Sequence, residues 1–178
     1  DEMILKESTN PQILEYASNI KQAGSMLLSL INDILDFSKI ESGKMDVVPV
    51  DYDFGILLGD TIDMIRSKAE NKNLQIELNI ESGTPVHLHG DEVRIRQIIT
   101  NILTNAVKYT PEGIITLTVS GKKVSEKAVQ LYVSVKDTGI GIKEEDIGRL
   151  YDSFQRVDES RNRNIEGTGL GLSITMRL

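Results

Sequence analysis

The sequence predicts a two-layer α/β (α+β) sandwich with a mixed sheet, preceded by one long amphipathic helix. From residue 10 to about residue 44, apolar residues recur in alternating steps of four and three, which is a heptad pattern. Further along, strand-like alternation and helical periodicity follow each other in the order β, helix, β, β. The length of 178 residues suits one domain, or a domain with an appendage.

Composition argues against several classes of function. The chain has no cysteine, so no disulfide can form, which fits a reducing cytoplasmic compartment. Its formal net charge of −7 argues against general binding of nucleic acid or anionic membranes. No apolar run approaches the ~20 residues of a membrane span, and the first residues lack a signal-peptide pattern. We therefore expect a cytoplasmic fragment without nucleic-acid or membrane contacts, and leave open a membrane anchor in its parent protein.

The long helix is expected to begin after Asn10, which can cap it, with Pro11 at its first position. Gly43 is placed to end it. The apolar seam is wide enough for a helical bundle, and residues 1–6 resemble only the tail of a partner helix. We expect missing upstream residues or a second chain to cover the seam; docking on the chain's own globular domain is the alternative. The seam consists of Ile13, Ala17, Ile20, Gly24, Leu27, Ile31, Ile34 and Ser38, flanked by Leu14, Leu28 and Leu35.

Four shorter elements are predicted next: an extended piece around Pro49, a helix over residues 54–70, a strand over 74–80 and a short strand over 86–90. The last strand carries His87 and His89 on one face. Two histidines at this spacing can bind a metal. Because no cysteine and no clear third ligand accompany them, an exposed strand face is the favoured interpretation.

The central stretch, residues 91–110, predicts a helix with two unlike faces. Asparagine is a poor helix former, so two of them in one polar arc call for an explanation. Amide oxygens can coordinate Mg²⁺, amide NH₂ groups can donate to phosphate, and a lysine adds charge. The arc predicts one wall of a Mg-nucleotide site. A solvated helix face with two incidental asparagines would have the same sequence and is the alternative. The arc contains Arg94, Gln97, Asn101, Asn105 and Lys108, and the apolar face contains Ile95, Ile98, Ile99, Ile102, Leu103 and Ala106.

A strand pair over residues 114–119 and 128–135, around a polar loop at 121–127, leads into Asp137-Thr-Gly139-Ile-Gly141. A carboxylate at a strand end can accept a hydrogen bond from a base amine, and the glycines let a ligand approach the backbone. Alone, this pattern fits any tight turn. Residues 143–166 are charged and poor in apolar periodicity, with Tyr151 and Phe154 as isolated anchors, and they predict a lid or binding loop.

Three alternating glycines, Gly167, Gly169 and Gly171, open a predicted helix near the end of the sequence. Backbone N–H groups at such a position can cradle phosphate; a flexible hinge is the alternative. A Rossmann fingerprint should follow the first strand, and a P-loop needs Gly-Lys-Ser/Thr, so neither fits.

These segments carry a family resemblance. Residues 91–110 match an N box, 137–141 a G1 box, 151–156 an F box and 167–172 a G2 box, while residues 30–45 look like the second helix of a dimerisation and phosphotransfer hairpin. The chain resembles the core of sensor histidine kinases of two-component systems, in the GHKL superfamily shared with type II topoisomerases. The resemblance implies a partial hairpin over residues 1–45 and an ATP-binding catalytic domain of the histidine-kinase type over 46–178, with its last strands missing.

The resemblance also implies roles for individual residues. Asn105 would bind Mg²⁺, Asn101 and Lys108 the phosphates, and Tyr109 the sugar or triphosphate. Asp137 would bind the adenine amine, with Gly139 and Gly141 shaping that pocket. The remaining implied nucleotide contacts are Phe154 in the F box and Gly167, Thr168, Gly169, Leu170 and Gly171 in the G2 box. Glu166 departs from the family by replacing a frequent glycine, which puts lid flexibility in doubt.

The implied activity is transfer of the ATP γ-phosphate to a histidine and onward to an aspartate of a response-regulator receiver domain, by a homodimer. The acceptor histidine is expected upstream of Asp1, so the fragment itself should not autophosphorylate. An ATP-hydrolysing clamp and a non-catalytic dimerisation or nucleotide-sensing module are the alternatives. The clamp would need a glutamate at position 101, where Asn101 offers an amide that cannot act as a base.

Overall fold

The structure is a computed structural model that describes residues 2–148, 150 and 169–178. The chain divides into two compact units, Asp1–Met45 and Asp46–Leu178. Most of the predicted lid falls outside the described residues. Phe154, Gly167 and Thr168, predicted to contact nucleotide, also lie outside them.

The first unit consists of α1 (Glu2–Glu7) and α2 (Pro11–Glu41), and both ends of α2 are the predicted ones. At its start, Asn10 Oδ1 accepts hydrogen bonds from the backbone N–H groups of Gln12 and Ile13, at 3.0 and 3.4 Å. At its end, Gly43 has a φ of +64°. Its N–H donates to Ile40 O, and the next N–H, of Lys44, donates to the carbonyl of residue 39 at 2.8 Å. This pair of bonds is a Schellman motif, which explains why a glycine stands there.

The apolar seam of α2 is largely uncovered within its unit. Ala17 is 3% exposed and is the one buried residue among those described in α2. Seven of its large apolar side chains are between 42% and 64% exposed, and Leu14 on its flank is half-buried. Burying side chains of this size is worth about 1.5 to 3 kcal/mol each, so this surface favours further packing. The exposed members are Ile13, Ile20, Leu27, Leu28, Ile31, Ile34 and Leu35.

The second unit is an α/β sandwich with a mixed sheet, as predicted. Its central sheet has the order β2-β4-β5, with β2 parallel and β5 antiparallel to β4. A separate pair, β1 and β3, is antiparallel. The elements in chain order are β1 (Val50–Asp53), α3 (Phe54–Glu70), β2 (Gln75–Ile80), β3 (His87–Gly90), α4 (Glu92–Tyr109), β4 (Ile114–Lys123), β5 (Val129–Asp137), α5 (Glu144–Ile147) and α6 (Gly171–Thr175).

Strands β4 and β5 are longer than predicted. Their antiparallel ladder continues to the pair Lys123 and Val129, so residues 121–123 belong to β4 and not to the polar loop. The apolar alternation ends at Val119, but backbone hydrogen bonding between two adjacent strands does not need apolar side chains. The pattern of side chains therefore underestimated the length of the β4–β5 hairpin.

The core of the second unit lies between the central sheet and the helices α3 and α4. The predicted apolar face of α4 supplies Ile99, Leu103 and Ala106, while Ile98 and Ile102 at its margins are only half-buried. The inward face of β4 is fully buried, which holds the sheet against both helices. The largest fully buried side chains include Phe54, Leu57, Leu58, Ile65, Ile99, Leu103, Ile115 and Leu117.

Asp91 fixes the start of α4. Its Oδ1 caps the helix by accepting from Arg94 N at 3.0 Å, and its Oδ2 accepts from Val48 N at 2.9 Å. One carboxylate thus joins the segment before β1 to the helix. The bond from Val48 is the largest of the influences that hold the pKa of the Asp91 carboxyl below its usual value, followed in that direction by the bond from Arg94.

Candidate functional site

The candidate site is arranged along helix α4. Residues seven apart on a helix lie on nearly the same face, about 10 Å from each other. The predicted polar arc therefore forms a stripe about 21 Å long from Arg94 to Lys108. At the Arg94 end, Nη1 donates to Gln97 Oε1 at 2.8 Å. The other two described segments of the predicted site meet this stripe near Asn101 and near its C-terminal end.

Near the middle of the stripe, Asn101 contacts α6. Asn101 Nδ2 donates to Gly171 O at 3.3 Å and to Thr175 Oγ1 at 3.4 Å. Thr175 Oγ1 in turn donates to Gly171 O at 2.9 Å. Gly169 precedes the helix with a φ of +72°, a left-handed conformation that favours glycine. The structure thus brings Asn101 and Gly171 together, and it adds Thr175, which the motif pattern did not single out.

Asn105, one turn further on, has its side-chain amide unengaged. It is half-buried, and within the described residues no hydrogen bond engages its side chain. Its oxygen is a suitable Mg²⁺ ligand. The described part of the chain contains no group of three or more His, Cys, Asp or Glu residues that could hold a metal.

The C-terminal end of α4 carries the predicted lysine and tyrosine. Lys108 Nζ lies 4.8 Å from the centroid of the Tyr109 ring, a cation–π contact. Lys72 Nζ donates to Val107 O at 2.9 Å and to Lys108 O at 3.0 Å, which satisfies carbonyls of the last turn and complements the helix dipole. The role of Lys72 had no signal in the sequence, because it sits in the turn after α3, 35 residues before the first of these carbonyls.

The Asp137 turn lies against the same end of α4. Asp137 Oδ1 accepts from Gly139 N at 2.9 Å, and Ile140 N donates to Tyr109 O at 3.1 Å. A Cβ on Gly139 would lie 2.3 Å from Tyr109 O, so only glycine fits there without a shift. Gly141 has a φ of +68°, which also favours glycine. Asp137 is exposed, and in the described structure no hydrogen bond occupies its Oδ2.

Thr110, which caps the C-terminus of α4, is the least expected member of this cluster. It is 0% exposed, and its Oγ1 has no hydrogen-bond partner within the described structure. The oxygen lies 2.9 Å from the position that a Cβ of Gly139 would take, and Asp137 Oδ1 lies 2.8 Å from the same position. The only feature of the sequence that pointed to Thr110 was its position between the end of the helix and Pro111.

The two histidines of β3 each face a carboxylate of β1. His89 Nδ1 is 2.7 Å from Asp51 Oδ1, and His87 Nδ1 is 3.8 Å from Asp53 Oδ2. Asp53 also caps α3 by accepting from Ile56 N at 2.9 Å. These are cross-strand pairs in which both histidine side chains are exposed. Among the described helices, none is long and apolar enough to cross a membrane.

Two family profiles match the chain. Residues 90–178 match the histidine kinase-, DNA gyrase B-, and HSP90-like ATPase family, and residues 2–43 match the His kinase A (phospho-acceptor) domain. The first match covers half of the chain and includes α4, the Asp137 turn and α6.

Curated relatives are histidine kinases of much greater length. The signal transduction histidine-protein kinase BarA of Escherichia coli (strain K12) is 38% identical over 176 residues, and the sensor histidine kinase GacS of Pseudomonas protegens is 39% identical over 176 residues. Each alignment covers 99% of this chain and 19% of the relative. The hybrid signal transduction histidine kinase B of Dictyostelium discoideum is 40% identical over 164 residues, 92% of this chain and 8% of that protein. The chain thus spans less than a fifth of the length of these proteins.

Solved structures of histidine kinases share the fold. Full-length ShkA in complex with AMPPNP superposes with a TM-score of 0.74 at 28% identity, covering 98% of this chain and 35% of that one. The histidine kinase AdeS of Acinetobacter baumannii superposes with a TM-score of 0.68 at 22% identity, covering 96% of this chain and 73% of that one. With the motifs and the fold already described, these matches establish that the chain belongs to the histidine kinase-, DNA gyrase B-, and HSP90-like ATPase family.

Proposed function

We propose that this chain is the ATP-binding core of a protein-histidine kinase, which transfers the γ-phosphoryl group of ATP to a histidine and onward to an aspartate of a response-regulator receiver domain. One observation carries the proposal. Helix α4 has the contact between Asn101 and Gly171 on its polar stripe, and the Asp137 turn at its C-terminal end. Asn101 and Tyr109 are separated by about 12 Å along the helix. That spacing suits a nucleotide lying along α4.

The contacts also support an orientation for the nucleotide. The free Oδ2 of Asp137 can accept a hydrogen bond from the adenine amine. The phosphates would then run along α4 from Lys108 past Asn105 towards Asn101, where Gly171 meets the helix. Lys108 has a flexible stem, so its ammonium can leave the Tyr109 ring and pair with phosphate.

Asn105 is the residue that fits a Mg²⁺ ion. Its amide has no competing hydrogen bond among the described residues, and its neighbours along the stripe are amides and a lysine, which leave phosphate and water as the other ligands. When bound, the ion would supply positive charge against the phosphate oxygens. Asn105 would hold that charge on the same helix face as Asn101 and Lys108.

In the proposed transfer, an imidazole nitrogen of the acceptor forms a bond to the γ-phosphorus while the bond to the β,γ-bridging oxygen breaks, leaving ADP. The protein contributes mainly position and charge. Asn101 could donate to a phosphate oxygen by giving up one of the two hydrogen bonds of its NH₂ group, at 3.3 and 3.4 Å. Its amide cannot remove a proton from water, which disfavours hydrolysis.

The acceptor histidine has to come from outside this sequence. Residues 2–43, which match the phospho-acceptor domain, contain no histidine, and the only two histidines are His87 and His89. Both lie on β3 and pair with carboxylates of β1. Neither is on the helical unit that matches the phospho-acceptor domain.

Homodimerisation through α2 is part of the same proposal. Seven large apolar side chains of the seam are exposed within their unit. A second copy presenting the same seam would bury them, and the match of residues 2–43 to the His kinase A domain supports this partner.

The activity can be tested with ATP labelled at the γ-phosphate and a separate helical hairpin that carries an acceptor histidine. We expect acid-labile label on the hairpin and none on His87 or His89. Asn105→Asp should reduce labelling strongly, because it places a carboxylate among phosphates. The matched control is Asn79→Asp on β2, which adds the same charge at an exposed position. Rapid release of free phosphate, lost in Asn101→Ala, would identify a hydrolase and refute the kinase proposal.

A further inference from the structure

A lysine from outside α4 holds two carbonyl groups at the C-terminal end of that helix. Lys72 Nζ donates to Val107 O at 2.9 Å and to Lys108 O at 3.0 Å. The last carbonyls of a helix have no partner within the helix, and they carry the negative end of its dipole. One ammonium group therefore supplies two charge-assisted hydrogen bonds to the turn from which the Lys108 side chain projects.

The base end of the proposed site is held independently of Lys72. Tyr109 O, the next carbonyl of α4, accepts from Ile140 N at 3.1 Å. Ile140 belongs to the Asp137 turn, where the base is proposed to bind. Two separate contacts thus hold the end of the helix: the Asp137 turn holds Tyr109, and Lys72 holds the turn of helix that carries Lys108.

The backbone of Lys72 is itself fixed by the turn that ends α3. Leu74 N donates to Ala69 O, and Asn73 N donates to the carbonyl of residue 70, both at 2.9 Å. These two bonds form a Schellman motif, and Asn73 has the left-handed φ of +55° that the motif requires. Leu74 and Ala69 are buried in the core. Only the side chain of Lys72 therefore has to be ordered for its ammonium to reach α4.

Lys108 is the site residue that this contact affects most directly. Helix ends fray easily, and a last turn whose carbonyls lose their partners frays more often. In the proposed site the Lys108 ammonium pairs with phosphate, which requires its backbone to stay in the helix. Fraying of this turn would withdraw that ammonium, while the Asp137 carboxylate would remain in place.

We propose that Lys72 is a positioning residue of the nucleotide site, which holds the last turn of α4 so that Lys108 can bind the phosphates. This inference rests on the proposed nucleotide site. Two consequences distinguish the role from a general contribution to stability. Loss of Lys72 should weaken binding of the phosphates and not of the base. It should also matter only while Lys108 is present.

The test compares titrations of the full 178-residue chain with Mg-ATP and with adenosine, which has the same base and no phosphate. Lys72→Met removes the ammonium and keeps a long side chain, and Lys72→Arg restores charged donors. Both variants should fold, because Lys72 is exposed. Thermal unfolding of the ligand-free proteins checks this. Lys68→Met is the matched control: Lys68 is exposed one turn earlier on α3, and within the described structure no hydrogen bond or ion pair engages its side chain.

We expect Lys72→Met to weaken Mg-ATP binding about fivefold, the effect of about one lost hydrogen bond, and adenosine binding less than about twofold. Lys72→Arg and Lys68→Met should keep both affinities. In a Lys108→Met background, adding Lys72→Met should change Mg-ATP affinity less than about twofold, because a residue that acts through another has no separate effect once the other is removed.

Equal weakening of Mg-ATP and adenosine binding by Lys72→Met would overturn the positioning role and assign the lysine to the fold in general. A full loss caused by Lys72→Met in the Lys108→Met background would overturn it as well. Unchanged Mg-ATP affinity in Lys72→Met would overturn this role while the nucleotide site stands. Failure of the unsubstituted chain to bind Mg-ATP would overturn both.

Discussion

Asn101 on α4 donates a hydrogen bond to the backbone carbonyl of Gly171, which is 70 residues further along the chain, at 3.3 Å. This contact joins the asparagines of α4 to the glycine-rich segment that opens α6. The sequence predicted these two motifs separately. It also means that Asn101 does two things in the proposed site: it holds the turn that opens α6, and it faces the phosphates. We therefore expect its removal to affect both nucleotide affinity and the local fold.

Asn101→Ala should weaken Mg-ATP binding about five- to tenfold, the loss that corresponds to about 1 kcal/mol of hydrogen bonding. Calorimetric titration measures this change. Thr175→Val removes only the second contact of the Asn101 amide, at 3.4 Å, and should have a smaller effect. Equal affinities in Asn101→Ala and the unsubstituted chain would show that the stripe does not carry the phosphates.

The uncovered seam of α2 leads to a prediction about self-association. Leu27→Asp with Ile31→Asp places two charges in the seam and should convert a dimer into a monomer in sedimentation experiments, because each exposed side chain would otherwise gain about 1.5 to 3 kcal/mol by burial. The second unit should keep its unfolding transition.

The control for this double variant is Ser25→Asp with Ser29→Asp. Both serines are exposed on α2, and at ~100° per residue they lie nearly opposite Leu27. The same two charges on that face should leave the dimer intact. A chain that already sediments as a monomer at high concentration would contradict homodimerisation through this helix.

Substitution by alanine should change the free energy of unfolding in opposite directions at Gly139 and Gly59. A Cβ on Gly139 would meet Tyr109 O at 2.3 Å, so Gly139→Ala should lower the free energy of unfolding by about 1 to 3 kcal/mol. A Cβ on Gly59, in the middle of α3, meets nothing within 4 Å, and Gly59→Ala should raise it by about 0.5 to 1 kcal/mol. Urea unfolding measures both. A neutral Gly139→Ala would mean that the turn does not pack on α4 as described.

Asp91 gives the second unit a defined dependence on pH. The hydrogen bond from Val48 is the main cause that lowers the pKa of its carboxyl in the folded protein. A lowered folded pKa means that the stabilisation is complete above the unfolded value of about 3.9 and is lost as the pH falls through the folded value. Asp91→Asn should therefore destabilise the unit at neutral pH and flatten the fall in stability below about pH 4.

Urea unfolding between pH 7 and pH 3 measures this dependence. Asp46→Asn is the matched control, since in the described structure Asp46 accepts no hydrogen bond. It should leave the shape of the profile unchanged. If the stability of Asp91→Asn varies with pH in parallel with that of the unsubstituted chain, Asp91 does not determine the loss of stability in acid.

Local patterns predicted those parts of the structure that depend on neighbouring residues. Asn10 and Gly43 bound α2 because a helix start and a helix end have strict local requirements. The two faces of α4 followed from helical periodicity, and Asp137 and Gly139 could be recognised as a tight turn.

Parts that depend on the packing of distant segments were not predictable from these patterns. Lys72 reaches the end of α4 only because α3 packs beside it, and Thr175 meets Asn101 only through the placement of α6. The unpartnered hydroxyl of Thr110 is a property of its surroundings and not of its sequence. Similarly, the continuation of β4 past Val119 is set by pairing with β5.

The most direct test of the central claim is calorimetric titration of the chain and its Asp137→Asn variant with Mg-ATP, with Asp63→Asn on the exposed face of α3 as control. An amide in place of the carboxylate loses an acceptor for the adenine amine and adds a donor that repels it. A nucleotide site at Asp137 predicts saturable binding by the unsubstituted chain and by Asp63→Asn, with affinity at least about tenfold weaker in Asp137→Asn. Equal affinity in all three proteins, or no binding by the unsubstituted chain, would contradict it.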